Sequence, residues 1–109
     1  MIIDFKDIAK AKVENMRGGV GFVELRKFSD DLNSIVRITI KKGNSIGLHT
    51  HETDQEIIYV IKGNGICLED GVEYELKEGQ ANYCAKDKNH SIRNENDEDL
   101  ELFAVITKQ

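Results

Sequence analysis

The sequence has no proline and no tryptophan, and it contains only two cysteines. Without proline, every tight turn must be made by Gly, Asn or Asp, residues that tolerate the left-handed backbone region. Two cysteines, Cys67 and Cys84, are too few for the dense disulfide framework of a small secreted scaffold. Residues 1–7 show no secretory signal pattern, so the simplest expectation is a reduced, cytoplasmic protein.

Long apolar runs and clustered positive charge are also missing. The apolar stretches, such as Ala104-Val105-Ile106, are only a few residues long, which is too short for a transmembrane helix. The 15 basic residues are spread along the chain and are outnumbered by 20 acidic ones, for a net charge of -5. Because phosphate binding needs clustered Lys and Arg, we expect neither nucleic acid nor an anionic membrane as a partner.

What the sequence does contain is a series of short apolar runs separated by glycine, which is typical of strands and turns. Ser34–Lys41 is rich in β-branched residues, and Glu56–Lys62 is nearly all apolar, as a strand buried on both faces would be. Asp70-Gly71 predicts a hairpin with a type I′ turn, because that turn needs positive φ at both central residues. The other predicted strands are Gly65–Glu69, Val72–Leu76, Gly21–Phe28, Gly79–Ala85, Ser91–Asn94 and Leu100–Thr107.

Helix is predicted only as one short N-terminal turn within Asp4–Val13, with Ile8 and Ala11 facing inward. The 109 residues suffice for one domain, and about eight short strands in that length indicate an all-β sandwich or small barrel over residues 1–109. Gly18-Gly19-Val20-Gly21 lacks the lysine of a phosphate-binding loop and is expected to be a flexible entry to the first strand.

All three histidines fit one spaced cluster. His49-Thr50-His51 is a His-x-His pair at the predicted start of a strand, where alternation directs both imidazoles to one face. Glu56 follows His51 by five residues, and His90 follows it by 39. Three neutral imidazoles and one carboxylate are donors that suit a divalent transition metal.

Glycines frame the first part of this cluster. Five residues separate Gly43 from His49-Thr50-His51, and six residues separate Glu56 from Gly63. This spacing resembles the first motif of the cupin superfamily, here over Gly43–Gly63. Glu52 or Gln55 would replace Glu56 if the loop register slipped, but the interval to Gly63 favours Glu56.

The second cupin motif is matched over Gly79–Asn94. Ten residues separate Gly79 from His90, and three separate His90 from Asn94. The chain departs from the pattern at Ala85, where the family usually has Pro, and at Asp87, where it usually has Gly. Because Asp tolerates the left-handed region better than most residues, Asp87 is a suitable substitute in the turn that presents His90.

The resemblance implies a single cupin domain: a double-stranded β-helix, or jelly-roll β-barrel, with a metal inside one open end. By the same resemblance, His49, His51, Glu56 and His90 would be the ligands of one divalent transition metal per chain. Imidazole and carboxylate accept Mn, Fe, Co, Ni, Cu and Zn, so the sequence does not select among them. Small members of the family commonly pair as homodimers, which we expect here.

Three neutral imidazoles and one carboxylate leave a divalent ion with a net formal charge near +1 and open coordination positions. Such a site suits a small anion that chelates through oxygens, such as an enolate or a hydroxy acid. The leading hypothesis is a metal-dependent enzyme of dioxygenase-like or isomerase/lyase type. The alternative is a non-catalytic, metal-dependent module that binds or senses a small ligand, and a third is a purely structural barrel.

Further candidate residues lie near the motifs. Tyr83, Cys84 and Arg37 are weak candidates for contacts to a substrate, and Tyr59 is a neighbour whose position in its strand favours an outward side chain. Because an unpaired cysteine is among the most buried residue types, packing is the favoured interpretation for Cys84 and even more for Cys67. The face of Arg37 is left open.

Overall fold

Ten β-strands and two short 3-10 turns make up the fold, described here from a computed structural model of residues 1–109. The 3-10 turns are Phe5–Asp7 and Met16–Gly18. None of the helical segments is long and apolar enough to span a membrane. The strands are β1 (Ala11–Glu14), β2 (Phe22–Ser29), β3 (Asn33–Ile40), β4 (Ser45–Thr50), β5 (Asp54–Lys62), β6 (Asn64–Glu69), β7 (Val72–Lys77), β8 (Ala81–Cys84), β9 (Asn89–Arg93) and β10 (Leu100–Lys108).

The strands form two sheets in which all neighbours are antiparallel. The six-stranded sheet has the order β1-β2-β3-β10-β5-β8, and the four-stranded sheet has the order β4-β9-β6-β7. Consecutive strands often lie in different sheets, so the chain crosses between the sheets repeatedly. The all-β jelly-roll prediction is therefore confirmed.

The core lies between the sheets and follows the alternation of the strands. On β3, for example, Val36, Ile38 and Ile40 point inward and are buried, whereas the residues between them are partly exposed. Burying one such side chain contributes roughly 1.5–3 kcal/mol. The core members from the six-stranded sheet and its ends are Val23, Leu25, Val36, Ile38, Ile40, Ile58, Val60, Leu100, Leu102 and Ala104, and those from the four-stranded sheet are Ile46, Cys67, Leu76 and Ile92.

Asp and Gly make the turns that a proline-free chain requires. Asp70 and Gly71 both have positive φ, 46° and 83°, which confirms the predicted hairpin between β6 and β7. Asp87 has a φ of 72°, and its N–H donates a hydrogen bond to the carbonyl of His51. The turn is closed by the Lys88 N–H, which donates to the Ala85 carbonyl at 3.0 Å. The departures from the second motif therefore keep a left-handed turn before His90.

The N-terminal segment contains the predicted short helical turn but differs from the prediction at Ala11. Helical structure is limited to Phe5–Asp7, which begins where the Asp4 side chain accepts a hydrogen bond from the Lys6 N–H at 3.0 Å. Ala11 does not face inward; it is exposed and begins β1, opposite Leu25 on β2. Pairing with β2 determines this conformation, and no local pattern in the sequence signals a pairing partner.

Gly18–Gly21 belongs to the connection between β1 and β2, not to an entry before the first strand. Its backbone packs directly on β4: a methyl group at Gly19 would collide with the Ser45 carbonyl, and one at Gly47 would collide with the Arg17 carbonyl. Only glycine allows two backbones to approach this closely. The second 3-10 turn is thereby fixed against the strand that carries His49.

Candidate metal centre

Four predicted ligands converge inside the barrel, from both sheets. His49, near the end of β4, lies directly opposite His90 on β9, and His51 follows β4 by one residue. Glu56 reaches them from β5 in the six-stranded sheet. One potential ligand atom from each of these residues, here called the four-residue cluster, lies within 4.8 Å of the others. The His-x-His pair therefore marks the end of a strand, and its predicted place at a strand start was wrong.

The cluster is compact and almost inaccessible to solvent. His90 Nε2 lies 2.8 Å and His51 Nε2 lies 3.1 Å from Glu56 Oε1, whereas His49 Nε2 lies 3.8 Å from it. The exposed fractions of His51, Glu56 and His90 are 3%, 6% and 1%. Buried charged groups require partners, so this arrangement must compensate charge locally.

Each imidazole is oriented by a hydrogen bond through its other nitrogen. The Nδ1 atoms lie 2.7 Å from the Gly47 carbonyl for His49, 2.6 Å from Asp54 Oδ1 for His51 and 2.8 Å from Asn82 Oδ1 for His90. Because oxygen acceptors hold a proton on every Nδ1, the three Nε2 atoms carry lone pairs in the neutral rings.

These lone pairs have no complementary donors. His51 Nε2 and His90 Nε2 face each other at 3.1 Å, and both face the carboxylate of Glu56. Acceptors that confront one another in a buried site repel unless a cation lies between them. The donor set and its polarity therefore fit one divalent metal ion, and the residues would hold it through three imidazole nitrogens and one carboxylate oxygen.

When the imidazoles are protonated instead of bound to a cation, they can donate hydrogen bonds to Glu56. Burial alone would raise the pKa of Glu56, but hydrogen bonds with His49, His51 and His90 outweigh it and hold that pKa far below its usual range. The hydrogen bond with Glu56 raises the pKa of His51. Burial lowers this pKa, but the hydrogen bond with Asp54 adds to the increase. Glu56 is therefore a carboxylate throughout the neutral range, as a metal ligand must be.

Asn82 is a supporting residue that sequence reasoning missed. Its carbonyl oxygen accepts from His90, and its amide donates to the Tyr74 hydroxyl at 2.6 Å and to Glu69 Oε1 at 3.2 Å. Asn82 is buried on β8 between two exposed neighbours, Ala81 and Tyr83. A polar residue at an inward position of a short strand was the signal in the sequence that could have identified it.

The other candidate residues are not brought to the cluster. The structure places Tyr83 on the outer surface, where its hydroxyl donates to Gln55 Oε1 at 2.8 Å. Arg37 also lies on the outer face and pairs with Glu101 at 3.5 Å. Strand alternation directs the side chains of Tyr83 and Arg37 away from the interior, so neither residue contacts a substrate in the cavity, contrary to the prediction. Tyr59 is likewise outward and partly exposed, as predicted.

The two cysteines are packing residues. Cys67 and Cys84 are buried, and both are free thiols. Cys84 lies opposite Glu56 in the pairing of β5 with β8, so it is the nearer of the two to the cluster along the sheet. Burial, followed by nearby carboxylates, raises the pKa of the Cys84 thiol to about 12. A thiol that stays protonated is a poor nucleophile and a poor metal ligand.

A partly open cavity leads to the cluster, and its empty space, including the part open to solvent at its mouth, is about 540 Å³. Most of its wall is aliphatic, supplied for example by Leu25, Ile38 and Ile106. Apart from the cluster, its polar side chains are those of Arg17, Lys27 and Ser91, of which the sequence analysis selected none. The cavity can therefore admit a small molecule to the four-residue cluster.

An antiparallel jelly-roll barrel with three imidazoles and a carboxylate converging in its interior defines a class of proteins with a candidate metal and small-ligand site. A family model described as a cupin domain matches residues 36–106, and the chain belongs to this family. The resemblance of the two sequence motifs is thereby confirmed.

One relative and two solved structures are similar over nearly the whole chain. An oxalate-binding protein of Thermotoga maritima is 32% identical, over 97% of this chain and 93% of its own length. A crystal structure described as a predicted oxalate decarboxylase, also from Thermotoga maritima, is 31% identical, covers 100% of both chains and has a TM-score of 0.93. A cupin-superfamily sugar phosphate isomerase from Silicibacter pomeroyi is 15% identical with a TM-score of 0.80, over 100% of this chain and 76% of its own, which shows the fold alone.

Proposed function

We propose that this chain binds one divalent transition metal ion through His49, His51, Glu56 and His90 and, at that ion, a small carboxylate anion that chelates through two oxygens. The observation that carries the proposal is the convergence of three imidazole Nε2 atoms and a carboxylate in a buried site, while each Nδ1 is engaged by an oxygen acceptor. A bound divalent ion would supply Lewis-acid attraction for oxygen ligands.

Oxalate is the first anion to test. Three neutral imidazoles and one carboxylate leave a divalent ion with one positive charge, which favours an anionic ligand over a neutral one. The relative that is 32% identical over nearly the whole chain is named an oxalate-binding protein. The donors would accept Mn, Fe, Co, Ni, Cu or Zn, so the metal itself must be measured.

Binding without turnover is the function that the cavity supports best. Beyond the four-residue cluster, its wall contains no carboxylic acid, tyrosine or cysteine that could transfer a proton to a bound anion. The second candidate is a metal-dependent enzyme, whether of decarboxylase, dioxygenase-like or isomerase/lyase type. The observation in its favour is the similarity to a structure described as a predicted oxalate decarboxylase.

Metal content and oxalate binding test the proposal together. The chain is purified without a tag, stripped with a chelator, reloaded separately with each of Mn, Fe, Co, Ni, Cu and Zn, and analysed by plasma mass spectrometry. We expect about one ion per chain for the preferred metal, and an oxalate-dependent rise in melting temperature only in the loaded protein. His51→Ala should lose the metal, whereas Glu52→Gln, an exposed neighbour, should retain it.

Wild-type protein that binds no metal after reconstitution would contradict the proposal, and so would a His51→Ala variant with unchanged metal content. Metal binding without any effect of oxalate would remove the anion from the proposal. Turnover is examined by following oxalate loss in the loaded protein, with the second candidate supported only if the loss stops in His51→Ala.

We further propose a homodimer in which the outer face of the six-stranded sheet is covered by a second copy. Ile57, Tyr59 and Ile61 on β5 and Tyr83 on β8 are all substantially exposed on this side of the barrel. A contiguous apolar patch on a sheet face is typical of an association surface. Light scattering should give twice the chain mass for the wild type and a lower mass for Tyr59→Lys.

A reducing, cytoplasmic location also remains part of the proposal. It is supported by two buried thiols that are not joined to each other. Absence of the protein from the cytosolic fraction of its native cells would contradict it.

A further inference from the structure

A lysine occupies an inward position on β2. Val23 and Leu25 point into the barrel, with exposed fractions of 0% and 9%, and Lys27 is the next residue with the same orientation. The strand register places Lys27 opposite Val36, whose side chain is buried in the core. Lys27 is nevertheless exposed, because this row of the sheet opens into the cavity that leads to the four-residue cluster.

Arg17 reaches the same cavity from the second 3-10 turn. Its backbone is left-handed, with φ 54° and ψ 30°, and Asn15 is left-handed as well. A left-handed backbone is unfavourable for an arginine, and strained conformations of this kind concentrate at ligand-binding segments. The segment is held in place by the close approach of Gly19 to Gly47, so Arg17 is presented at the mouth by a fixed backbone.

Neither cation has an internal partner. All ion pairs in the structure are formed by other residues. The one carboxylate in the cavity wall, Glu56, is engaged with the imidazoles. In a chain with a net charge of -5, two unpaired cations at the mouth of a cavity create a local attraction for anions that the rest of the surface opposes.

The sheet also separates Lys27 from the cluster by aliphatic surface. Three strand spacings lie between Lys27 on β2 and Glu56 on β5, roughly 14 Å along the sheet. The intervening inward residues on β3 and β10 include Val36, Ala104 and Ile106. A lysine side chain spans only part of this distance, so the space between Lys27 and the cluster suits a ligand longer than oxalate.

We propose that Lys27 and Arg17 select a ligand with a second anionic group: a 2-oxo or 2-hydroxy acid whose chelating end lies at the four-residue cluster and whose distal carboxylate lies at the cavity mouth. This inference rests on the proposed function, because the chelating end requires a metal at the cluster. It adds the distal carboxylate, the aliphatic spacer and the two residues that determine specificity.

The test compares two five-carbon acids that differ only at the distal end. 2-Oxoglutarate and 2-oxopentanoate share the 2-oxo acid group, and a methyl group replaces the second carboxylate in the latter. Binding to Mn²⁺-loaded protein is measured by calorimetry, with oxalate as the ligand for the cluster alone. We expect wild-type protein to bind 2-oxoglutarate at least about tenfold more tightly than 2-oxopentanoate, the effect of one charge-assisted hydrogen bond.

The variant Lys27→Gln/Arg17→Gln should lose this preference while its affinity for 2-oxopentanoate and oxalate is unchanged. Lys27→Arg should retain the preference, and Lys62→Gln, which removes a positive charge outside the cavity, should retain it too. Both substituted residues are exposed, and the oxalate affinity reports whether the variants are folded and loaded.

Equal affinities of the wild type for the two five-carbon acids would overturn the inference, and so would a preference that persists in Lys27→Gln/Arg17→Gln. If oxalate binds and neither longer acid does, the inference fails and the proposed function stands. If Mn²⁺ is retained and no anion binds, both the inference and the anion-binding function fail.

Discussion

Two buried polar side chains in and just after β9 are accommodated in opposite ways. The Asn94 amide donates to the carbonyls of Ile40 and Glu98, both at 2.8 Å, and its oxygen accepts from the Asn96 N–H at 2.9 Å. His90 is equally buried, but its Nε2 faces His51 Nε2 and the Glu56 carboxylate. Every polar atom of Asn94 meets a complementary group, whereas one nitrogen of His90 meets only acceptors.

This difference in hydrogen-bond partners distinguishes a residue that stabilises the fold from one that binds a ligand, whereas the degree of burial does not. Both residues belong to the second sequence motif, and their exposed fractions are both 1%. Complementary partners indicate a residue that stabilises the fold, because each pair replaces the hydrogen bonds lost to water. Opposed acceptors indicate a group that the fold presents to something else, and the cation-binding hypothesis follows from that contrast.

The largest expected effect is at Asn94. Asn94→Ala leaves the Ile40 and Glu98 carbonyls without their donor, and a buried unsatisfied group costs about 1–3 kcal/mol. Urea denaturation should therefore show a loss of about 3 kcal/mol in unfolding free energy, equal with metal and with chelator. Asn96→Ala, at an exposed position, should cost no more than about 0.5 kcal/mol. A loss that depends on metal would show that Asn94 supports the cluster instead.

Metal removal should have the next largest effect. At free metal about a hundredfold above the dissociation constant, the wild type should gain about 2.7 kcal/mol over the chelated protein. His90→Gln should abolish this gain and lower the stability of the chelated protein much less, because the substitution removes one of the opposed acceptors. Thermal melting with and without chelator measures both quantities. If His90→Gln destabilised the chelated protein as much as Asn94→Ala does, both residues would chiefly stabilise the fold, and the proposed difference between them would be wrong.

The hydrogen bond from His90 to Asn82 tests the comparison at a residue that contacts the cluster but does not belong to it. Asn82→Leu removes the oxygen that orients the imidazole, and loss of such a partner typically lowers metal affinity by about 10–100-fold. Asn82→Asp retains an acceptor and should retain most of the affinity. Tyr74→Phe removes only the hydroxyl that Asn82 contacts and should have a smaller effect. Competition with a metal indicator dye ranks the three variants, and equal affinities in all of them would contradict a positioning role for Asn82.

The smallest expected effect concerns Cys84. Its pKa is raised from 9.0 to about 12 in the folded protein, chiefly by burial, so the unfolded chain loses this proton first as pH rises. The stabilisation is complete below pH 9 and is lost progressively as pH rises toward the folded value. Between pH 8 and pH 10 the wild type should lose up to about 1.4 kcal/mol more stability than Cys84→Ala. Urea midpoints at the two pH values provide the measurement, and identical losses would show that the thiol does not contribute.

Strand alternation, which is a local property, predicted that His49 and His51 share a face, whereas the addition of Glu56 and His90 to the ligand set rested on the resemblance to the cupin motifs. His49 and His51 share a face, as the alternation indicates, and their rings lie 4.9 Å apart. The place of the pair at the end of β4 was missed, because that boundary depends on pairing with β9. Arg37 lies between Val36 and Ile38 on β3, so alternation directs its side chain to the opposite face. Its outward orientation could therefore have been predicted from the sequence.

Long-range partners account for the rest. The role of Asn82 depends on β8 lying beside β5 and near Tyr74 on β7, and no pattern within β8 specifies these neighbours. No sequence motif includes Lys27. Its inward position is shown only by the strand register, which places it opposite the core residue Val36 on β3. A single sequence does not identify residues whose roles depend on contacts between two or three strands.

The position of β10 has a consequence for how the protein is made. This strand lies between β3 and β5, and Phe103 is opposite both Arg37 and Tyr59. The centre of the larger sheet is therefore missing until Leu100–Lys108 has been synthesised, although the five core residues of its neighbours β3 and β5 are synthesised earlier. Domains dominated by such non-local pairings fold slowly. β3 and β5 therefore lack their shared partner until β10 has been synthesised, and the six-stranded sheet that carries Glu56 can be completed only after that point.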